Sequence, residues 1–243
     1  MIERGISTVK RHYNVKEILK RLQKFKEIAT LGSIISETRE TRYIPQIDSA
    51  GGFIYSKWTL LKLMFLQLYV PLYTSIISPR FKEFNYIDLF AGSGLNRFEN
   101  SSIIIAGSPI IALSFATKPF SRAYFVDSKS SKIELLKNRV LRLKELSKEH
   151  EYREFIFSNI ETTVPNYFQQ DANVQVGKIY EEIEERHKEL LKSFRKGCHN
   201  LVFIDPFGFD FKRKSLERIL SSDVRNDIII LFNAYGVGMQ AYN

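Results

Sequence analysis

The chain has 243 residues, with 36 Lys plus Arg against 27 Asp plus Glu, a formal net charge of +9, and 44% hydrophobic and 13% aromatic residues. Disordered and fibrous classes are excluded, and the length is enough for one large α/β domain, or a medium domain with an appendage, with a sizeable core. The single cysteine, Cys198, rules out an intramolecular disulfide and a Cys-based zinc cluster, and Met1 to Lys20 is studded with Arg4, Lys10, Arg11, Lys16 and Lys20 where a secretory signal needs an apolar stretch, so a reducing cytoplasm is expected.

From Ile2 to about Gln46, Val15, Ile18, Leu19, Leu22, Phe25 and Ile28 fall on one face at helical spacing, which predicts an N-terminal helical extension over residues 1–52. Gly32, Pro45, Gly51 and Gly52 read as loop punctuation between that extension and the next helix. Lys57 to Tyr73 is a long apolar helix, expected to break near Pro71. Lys62, Gln67 and Pro71 interrupt the apolar run before it reaches the roughly 20 residues of a membrane span, so a buried helix and no membrane are expected.

After Pro79, short apolar runs alternate with amphipathic stretches, the pattern of a parallel sheet flanked by helices. Residues 53–243 are therefore expected to form one α/β, Rossmann-like domain with helices on both faces of a mostly parallel sheet. The predicted strands are Tyr86 to Phe90, Ala123 to Asp127, Tyr152 to Ser158, Leu201 to Asp205 and Asp227 to Asn233. Lys132 to Lys148 is a predicted helix with an apolar stripe of Ile133, Leu136, Val140, Leu143 and Leu146. In a second charged helix, Val176 to Arg195, Glu181, Glu182, Glu184 and Glu185 precede Arg186, Lys188 and Lys192, an order that favours i,i+4 pairs. Lys214 to Leu220 is a third.

The most informative segment is Tyr86-Ile87-Asp88-Leu89-Phe90-Ala91-Gly92-Ser93-Gly94, a buried strand running into a turn with two glycines. Such a turn lies at the carboxyl edge of a doubly wound sheet, where ligands bind, and glycine lets the backbone turn tightly against them. A dinucleotide fingerprint requires a third glycine where this chain has Arg97, and no Gly-Lys-Ser or Gly-Lys-Thr follows for a Walker loop. An acid beside a short glycine turn suits S-adenosylmethionine, whose ammonium and sulfonium are cationic and which carries no phosphate. Asp88, Phe90, Gly92 and Gly94 are thus the candidate cofactor turn. Asp127, ending the next strand, has two readings: a grip on a ribose diol, or a cap for the helix that follows. The long gap between Gly94 and Asp127 is filled by a helix beginning Gly107-Ser108-Pro109, with Ser108 as its expected cap.

Ile204-Asp205-Pro206-Phe207-Gly208-Phe209 ends the fourth predicted strand in an acid, a proline, an aromatic and a glycine. An exocyclic amine of adenine is a weak nucleophile because its lone pair is delocalised into the ring. Hydrogen bonds to a carboxylate and a proline carbonyl favour an sp³-like nitrogen, and an aromatic can stack on the flipped-out base. Asp205, Pro206 and Phe207 are the candidate catalytic turn; the other reading is that Asp205 and Pro206 only end a strand and cap a helix.

In that order, Lys57-Trp58-Thr59-Leu60-Leu61-Lys62-Leu63, the Asp88 to Gly94 turn, Gly107-Ser108-Pro109 and Phe203 to Gly208 resemble the three-Cys-motif partner protein family (TcmP). That family resembles a branch of the class I S-adenosylmethionine-dependent methyltransferases, and its layout is similar to that of the ribosomal RNA adenine-N6 methyltransferases related to RlmJ. The resemblance spans roughly Phe53 to Asn233. It implies cofactor contacts from Asp88, Gly92, Gly94 and Asp127, with Asn159 in the position where methyltransferases often place an Asp beside the cofactor adenine. It also implies a small cysteine-motif or radical-S-adenosylmethionine-like protein partner. The second proline and the tyrosine usual in adenine-N6 enzymes are replaced by Phe207 and Gly208, which keeps open a non-catalytic protein of the same fold that binds a partner or nucleic acid.

His12, His150, His187 and His199 share no metal-ligand spacing, so no metal is expected, and the neighbours Cys198 and His199 read as loop and strand, not as a nucleophile and base. The positive charge points to a polyanion, RNA or DNA, flanked by Lys129 to Lys148 and the basic N-terminal helix. A sheet of this class normally has seven strands, and five are legible before Asn243, so a truncated chain, a split gene product or a sheet completed by a partner is expected.

Overall fold

The fold is seen in a computed structural model that describes residues 15–37, 57–97, 103–156, 160–193, 196–206 and 210–231. In chain order these form α1 (Val15–Ile35), α2 (Lys57–Ile77), β1 (Glu83–Asp88), β2 (Leu95–Arg97), β3 (Ile104–Ala106), α3 (Ser108–Phe115), β4 (Arg122–Asp127), α4 (Ser130–Leu146), β5 (Val164–Gln169), α5 (Ala172–Ser193), β6 (Cys198–Ile204), α6 (Arg213–Leu220) and β7 (Arg225–Ile230). The main sheet has the order β5-β4-β1-β6-β7 with every pair parallel, a Rossmann-like α/β fold as expected.

Parallel strands covered on both faces must be apolar throughout, and β1, β4 and β6 are nearly continuous buried runs. One core gathers α1, α2, α3 and α4 on one face through Ile28, Leu66, Ile110 and Leu136, and the other gathers α5 and α6 through Val176, Ile183 and Ile219. Asn85, Asn200 and Asn226 sit side by side on β1, β6 and β7, linked in a row at 3.0 and 2.8 Å. This buried amide ladder has its bonds only in one register, so it fixes how the three strands align.

Several expectations change in the folded chain. The strand expected at Tyr152 to Ser158 is not one: a short 3₁₀ turn, His150–Tyr152, leads into a tight turn, and residues 157–159 lie outside the described residues. The strand is β5, whose sequence VPNYFQ contains Pro165 and is half-exposed. At the sheet edge neither a continuous apolar run nor every N–H is required, so the strand signal is weak there, while Tyr152, Phe155 and Ile156 spend their apolar surface packing on the core. Helix α2 runs unbroken through Pro71. Bonds from Tyr69 to Asp227, from Tyr73 to His199 and from Thr74 to Thr117 hold it on both sides of the proline and offset the missing backbone bond. It is long and apolar enough by composition to cross a membrane, yet it lies on the sheet as a helix of the fold.

Gly32 is no loop residue: it lies within α1, where a Cβ would come within 2.7 Å of the Ile104 carbonyl on β3, so part of the N-terminal extension packs into the main core. Gly107, not Ser108, caps α3, because the Ser108 hydroxyl is turned to Asp88. The acids and bases of α5 also look outward: Arg186 pairs with Glu83, Glu184 with Arg218, and Glu182 takes the Tyr124 hydroxyl. Partly buried partners on other elements hold these groups better than exposed neighbours on the same helix. The antiparallel ribbon β2–β3 carries no sequence signal and stands apart from the main sheet.

Candidate functional site

Parallel neighbours place the carboxyl ends of β4, β1 and β6 at one edge of the sheet. Asp88 at the end of β1 is in register with Phe125 and Phe203, and the Leu89 N–H donates to the Phe203 carbonyl at 3.2 Å. The glycine turn and the Asp205-Pro206 turn therefore leave adjacent strands side by side.

The glycine turn is tied from beneath. Asp88 is fully buried and accepts hydrogen bonds from the Tyr86 hydroxyl at 3.0 Å, from the Phe90 N–H at 3.2 Å and from the Ser108 side chain. Burial raises its carboxyl from the ordinary carboxylate value to about 7, a rise that the three donors oppose and the nearby Asp205 charge reinforces. Further along, Arg139 of α4, buried, donates to the Ser93 carbonyl at 2.6 Å, and the Gly107 N–H donates to the Gly94 carbonyl at 2.7 Å.

The two glycines do different work. Both have left-handed backbone, φ +62° at Gly92 and +81° at Gly94. A Cβ on Gly94 would stand 2.7 Å from Leu136 and 3.2 Å from Ile110, so that glycine lets α3 and α4 close on the turn. Around Gly92 nothing among the described residues lies within 4 Å of the added atom, so its backbone faces open space there. Asp127 meets the turn there: one carboxylate oxygen accepts the Gly92 N–H at 3.2 Å and the other the Lys129 N–H at 2.9 Å, with the Lys132 ammonium 3.4 Å away. Asp127 thus tethers the chain entering α4 and borders the open side of Gly92; the cap expected of it is not formed, since Lys129 stands at the N-cap of α4 with no side-chain cap bond.

The second turn is held by a contact remote in sequence. The Lys62 ammonium, on α2, lies 2.8 Å from both carboxylate oxygens of Asp205, in an ion pair with side chains 15% and 31% exposed. Beyond the turn, Asn173 at the start of α5 donates to the Asp210 carbonyl at 2.7 Å and accepts the Lys212 N–H and the Ser215 hydroxyl, both at 2.8 Å. That anchors Phe211, whose ring meets Phe90 edge-on with centroids 6.2 Å apart. An aromatic pair thus bridges the two turns.

No protein-family model matches the chain, and no curated protein matches it. Among solved structures it is similar to the crystal structure of protein LPL1258 from Legionella pneumophila str. Philadelphia 1, family model DUF519. The identity is 12% and the TM-score 0.33, over 63% of this chain and 58% of that one. The chain thus matches little more than half the length of that protein.

Of the residues singled out in the sequence, Asp88, Phe90, Gly92, Gly94, Asp127, Asp205 and Pro206 gather at this edge, while Phe207 and Asn159 lie outside the described residues. Cys198 and His199 point to opposite faces of β6: the thiol is buried beside α5 and pushed by burial up to about 12, and His199 meets the Tyr73 hydroxyl at 3.0 Å. Sequence reasoning missed Lys62, Arg139, Asn173 and Phe211. Two of these carried a signal: Lys62 is a cation in an apolar helix, and Arg139 sits on the buried stripe of α4 between Leu136 and Val140.

Proposed function

We propose that this chain is an S-adenosylmethionine-dependent methyltransferase of class I, resembling the three-Cys-motif partner family, that methylates a nitrogen of nucleic acid, with adenine N6 the leading acceptor. The observation that carries the reading is the pairing of an open glycine turn, bordered by Asp127, with an Asp-Pro turn on the adjacent strand. The exposed backbone at Gly92 leaves room for a ligand against the main chain, and the site supplies acids rather than a phosphate cradle, which fits a cationic cofactor.

When bound, S-adenosylmethionine supplies an electrophilic methyl on a sulfonium. The chain's own residues bind and orient. Gly92 and Asp127 border the cofactor pocket, and Phe90 and Phe211 exclude water between the turns. The Asp205 carboxylate and the Pro206 carbonyl accept hydrogen bonds from the acceptor amine, and the Asp205 carboxylate takes the proton that the amine releases. Lys62 positions that carboxylate; a carboxylate has about four lone-pair sites, so the pair leaves acceptor capacity for substrate. Nucleic acid as substrate draws on the net charge of +9, and the cytoplasm as the compartment on the lone cysteine.

One observation favours the second reading, a methyltransferase-fold protein that binds a cysteine-motif partner or nucleic acid without catalysis: both oxygens of Asp205 are already held by Lys62. Titration calorimetry with S-adenosylmethionine and its demethylated product, followed by methyl transfer from labelled cofactor to RNA and DNA, separates the readings. Catalysis requires saturable binding and label in nucleic acid that disappears in Asp205→Ala. Binding heat with no transfer leaves the second reading, and no heat at millimolar ligand sinks the cofactor reading altogether.

A further inference from the structure

Phe211, Lys212, Arg213 and Lys214 follow the turn after β6 and lead into α6; the ring is half-buried and the three cations are exposed. Asn173 fixes this segment through the Asp210 carbonyl, the Lys212 N–H and the Ser215 hydroxyl. Phe211 also meets Phe90 of the turn after β1, so the segment stands against both turns of the site. That contact is edge-on, which leaves at least one face of the Phe211 ring unused by Phe90.

The charges here run against the helix they precede. A first turn faces the positive end of the helix dipole and favours acids, yet α6 has no acid there and opens on Arg213 and Lys214. Its N-cap is Lys212, with no side-chain cap bond. Local rules broken together in this way mark functional surfaces. The nearby acids do not neutralise the cluster. Asp171 accepts the Asn173 N–H at 2.8 Å, Asp210 stands exposed beside the ring, and Glu217 meets Arg213 in a pair whose side chains are 54% and 90% exposed. Among the described residues, Lys212 and Lys214 have no ion-pair partner.

Helix α4, the basic stretch that the sequence offers for a polyanion, differs in this respect. Lys132 meets Asp127, Lys137 meets Glu134, Arg142 meets Glu145 and Lys148 meets Glu161, while Lys144 donates to the Thr163 carbonyl. Its cations hold acceptors of the fold, and those beside the Asp205 turn do not.

We propose that Phe211, Lys212, Arg213 and Lys214 form the surface that grips a single-stranded stretch of the acceptor nucleic acid, the cations on its phosphates and the Phe211 ring on a base. The inference rests on the nucleic-acid part of the proposed function and adds the state of the strand. An aromatic beside a row of cations is the pairing that binds single strands, because a base offers its face to a ring only when it is free of its neighbours in a duplex stack. An acidic protein would engage the cations and leave the ring idle.

Fluorescence anisotropy of the full chain with a labelled adenine-containing oligonucleotide of about 12 nucleotides, as single-stranded RNA, single-stranded DNA and DNA duplex, tests the proposal. Single strands should bind more tightly than the duplex. Three phosphate contacts give a slope of log affinity against log salt of about −2, and Lys212→Ala with Lys214→Ala should bring it to about −0.7. Phe211→Leu, which keeps apolar bulk, should weaken binding about 5- to 100-fold at an unchanged slope, and Phe211→Tyr should restore most of it. Lys214→Glu should weaken binding without lowering the midpoint of thermal unfolding, since the helix dipole favours an acid there. Lys137→Ala on α4 should leave affinity and slope as they are. Single-strand binding that ignores Lys212, Lys214 and Phe211 overturns this surface and leaves the nucleic-acid reading standing, whereas no binding of any oligonucleotide at low salt overturns both. Tighter binding of the duplex, or equal displacement of the oligonucleotide by polyglutamate of matched charge, also overturns the proposal.

Discussion

The two turns at the carboxyl edge of the sheet are built on different principles. The turn after β1 is over-determined: Asp88, Ser108, Arg139 and Gly107 hold it through contacts that are almost all buried, and its two glycines adopt backbone that other residues resist. Among the described residues, the turn after β6 is held by one partly exposed ion pair, from Lys62 to Asp205, and by the amide of Asn173 beyond it. A cradle that must present the same backbone to a ligand every time is served by rigidity. On the proposed function, a carboxylate that must accept from a substrate amine is better held by a partly exposed cation, because such a pair contributes only about a kcal/mol and costs little to adjust.

The sharpest way to break this contrast is Gly94→Ala. Its methyl meets Leu136 at 2.7 Å on left-handed backbone, and a loss of about 2–4 kcal/mol is expected, read as a lowered denaturation midpoint. A stable Gly94→Ala protein would mean that the first turn is not rigidly held. Next, Asp205→Ala should cut methyl transfer by about 100-fold or more while the midpoint of thermal unfolding stays within a few degrees. Lys62→Met should lower turnover with cofactor affinity unchanged, and Lys62→Arg should restore part of it. Loss of cofactor affinity in Lys62→Met would place the lysine in the first turn's business instead.

A third test uses protons. The folded value of Asp88, about 7, lies above the ordinary carboxylate value of 3.8, so between them the folded chain keeps a proton that the unfolded chain has released. The contribution of this group to stability is therefore complete below about pH 4 and is lost as the pH rises through 7. Asp88→Asn removes that dependence, and the difference in melting temperature, variant minus parent, should grow from pH 4 to pH 7. A flat or falling difference would show that the three donors outweigh burial. The smallest expected effect is Gly92→Ala, about 1 kcal/mol of left-handed strain with no clash. Its larger consequence should be weaker cofactor binding, measured by calorimetry, since the new methyl projects into the open side of the turn.

Legibility in the sequence follows the range of the forces involved. The turn after β1 could be read because glycines at positive φ and an acid at a strand end are local requirements, met within the segment from Tyr86 to Gly94. Strand β5 could not: at the sheet edge half its surface is wet and Pro165 is tolerated, so its pattern resembles a loop, while the stronger apolar signal of Tyr152 to Ile156 belongs to a turn packed on the core. The break expected at Pro71 failed for a related reason, since one lost backbone bond is a small deficit for a helix that β6 and β7 hold from the side.

By itself the sequence determined the class of fold, the buried strands and the two turns, because apolar periodicity and backbone preference act over a few residues. Only the tertiary structure decided which glycine faces open space and which one faces Leu136. The same is true of the partners: Asp127 meets Gly92, and Asp205 is gripped by Lys62 from far earlier in the chain. Such pairings arise when parallel crossovers bring the ends of β4, β1 and β6 and the start of α2 to one edge of the sheet. A residue's own type sets the interactions it can make, and the folded neighbourhood selects among them.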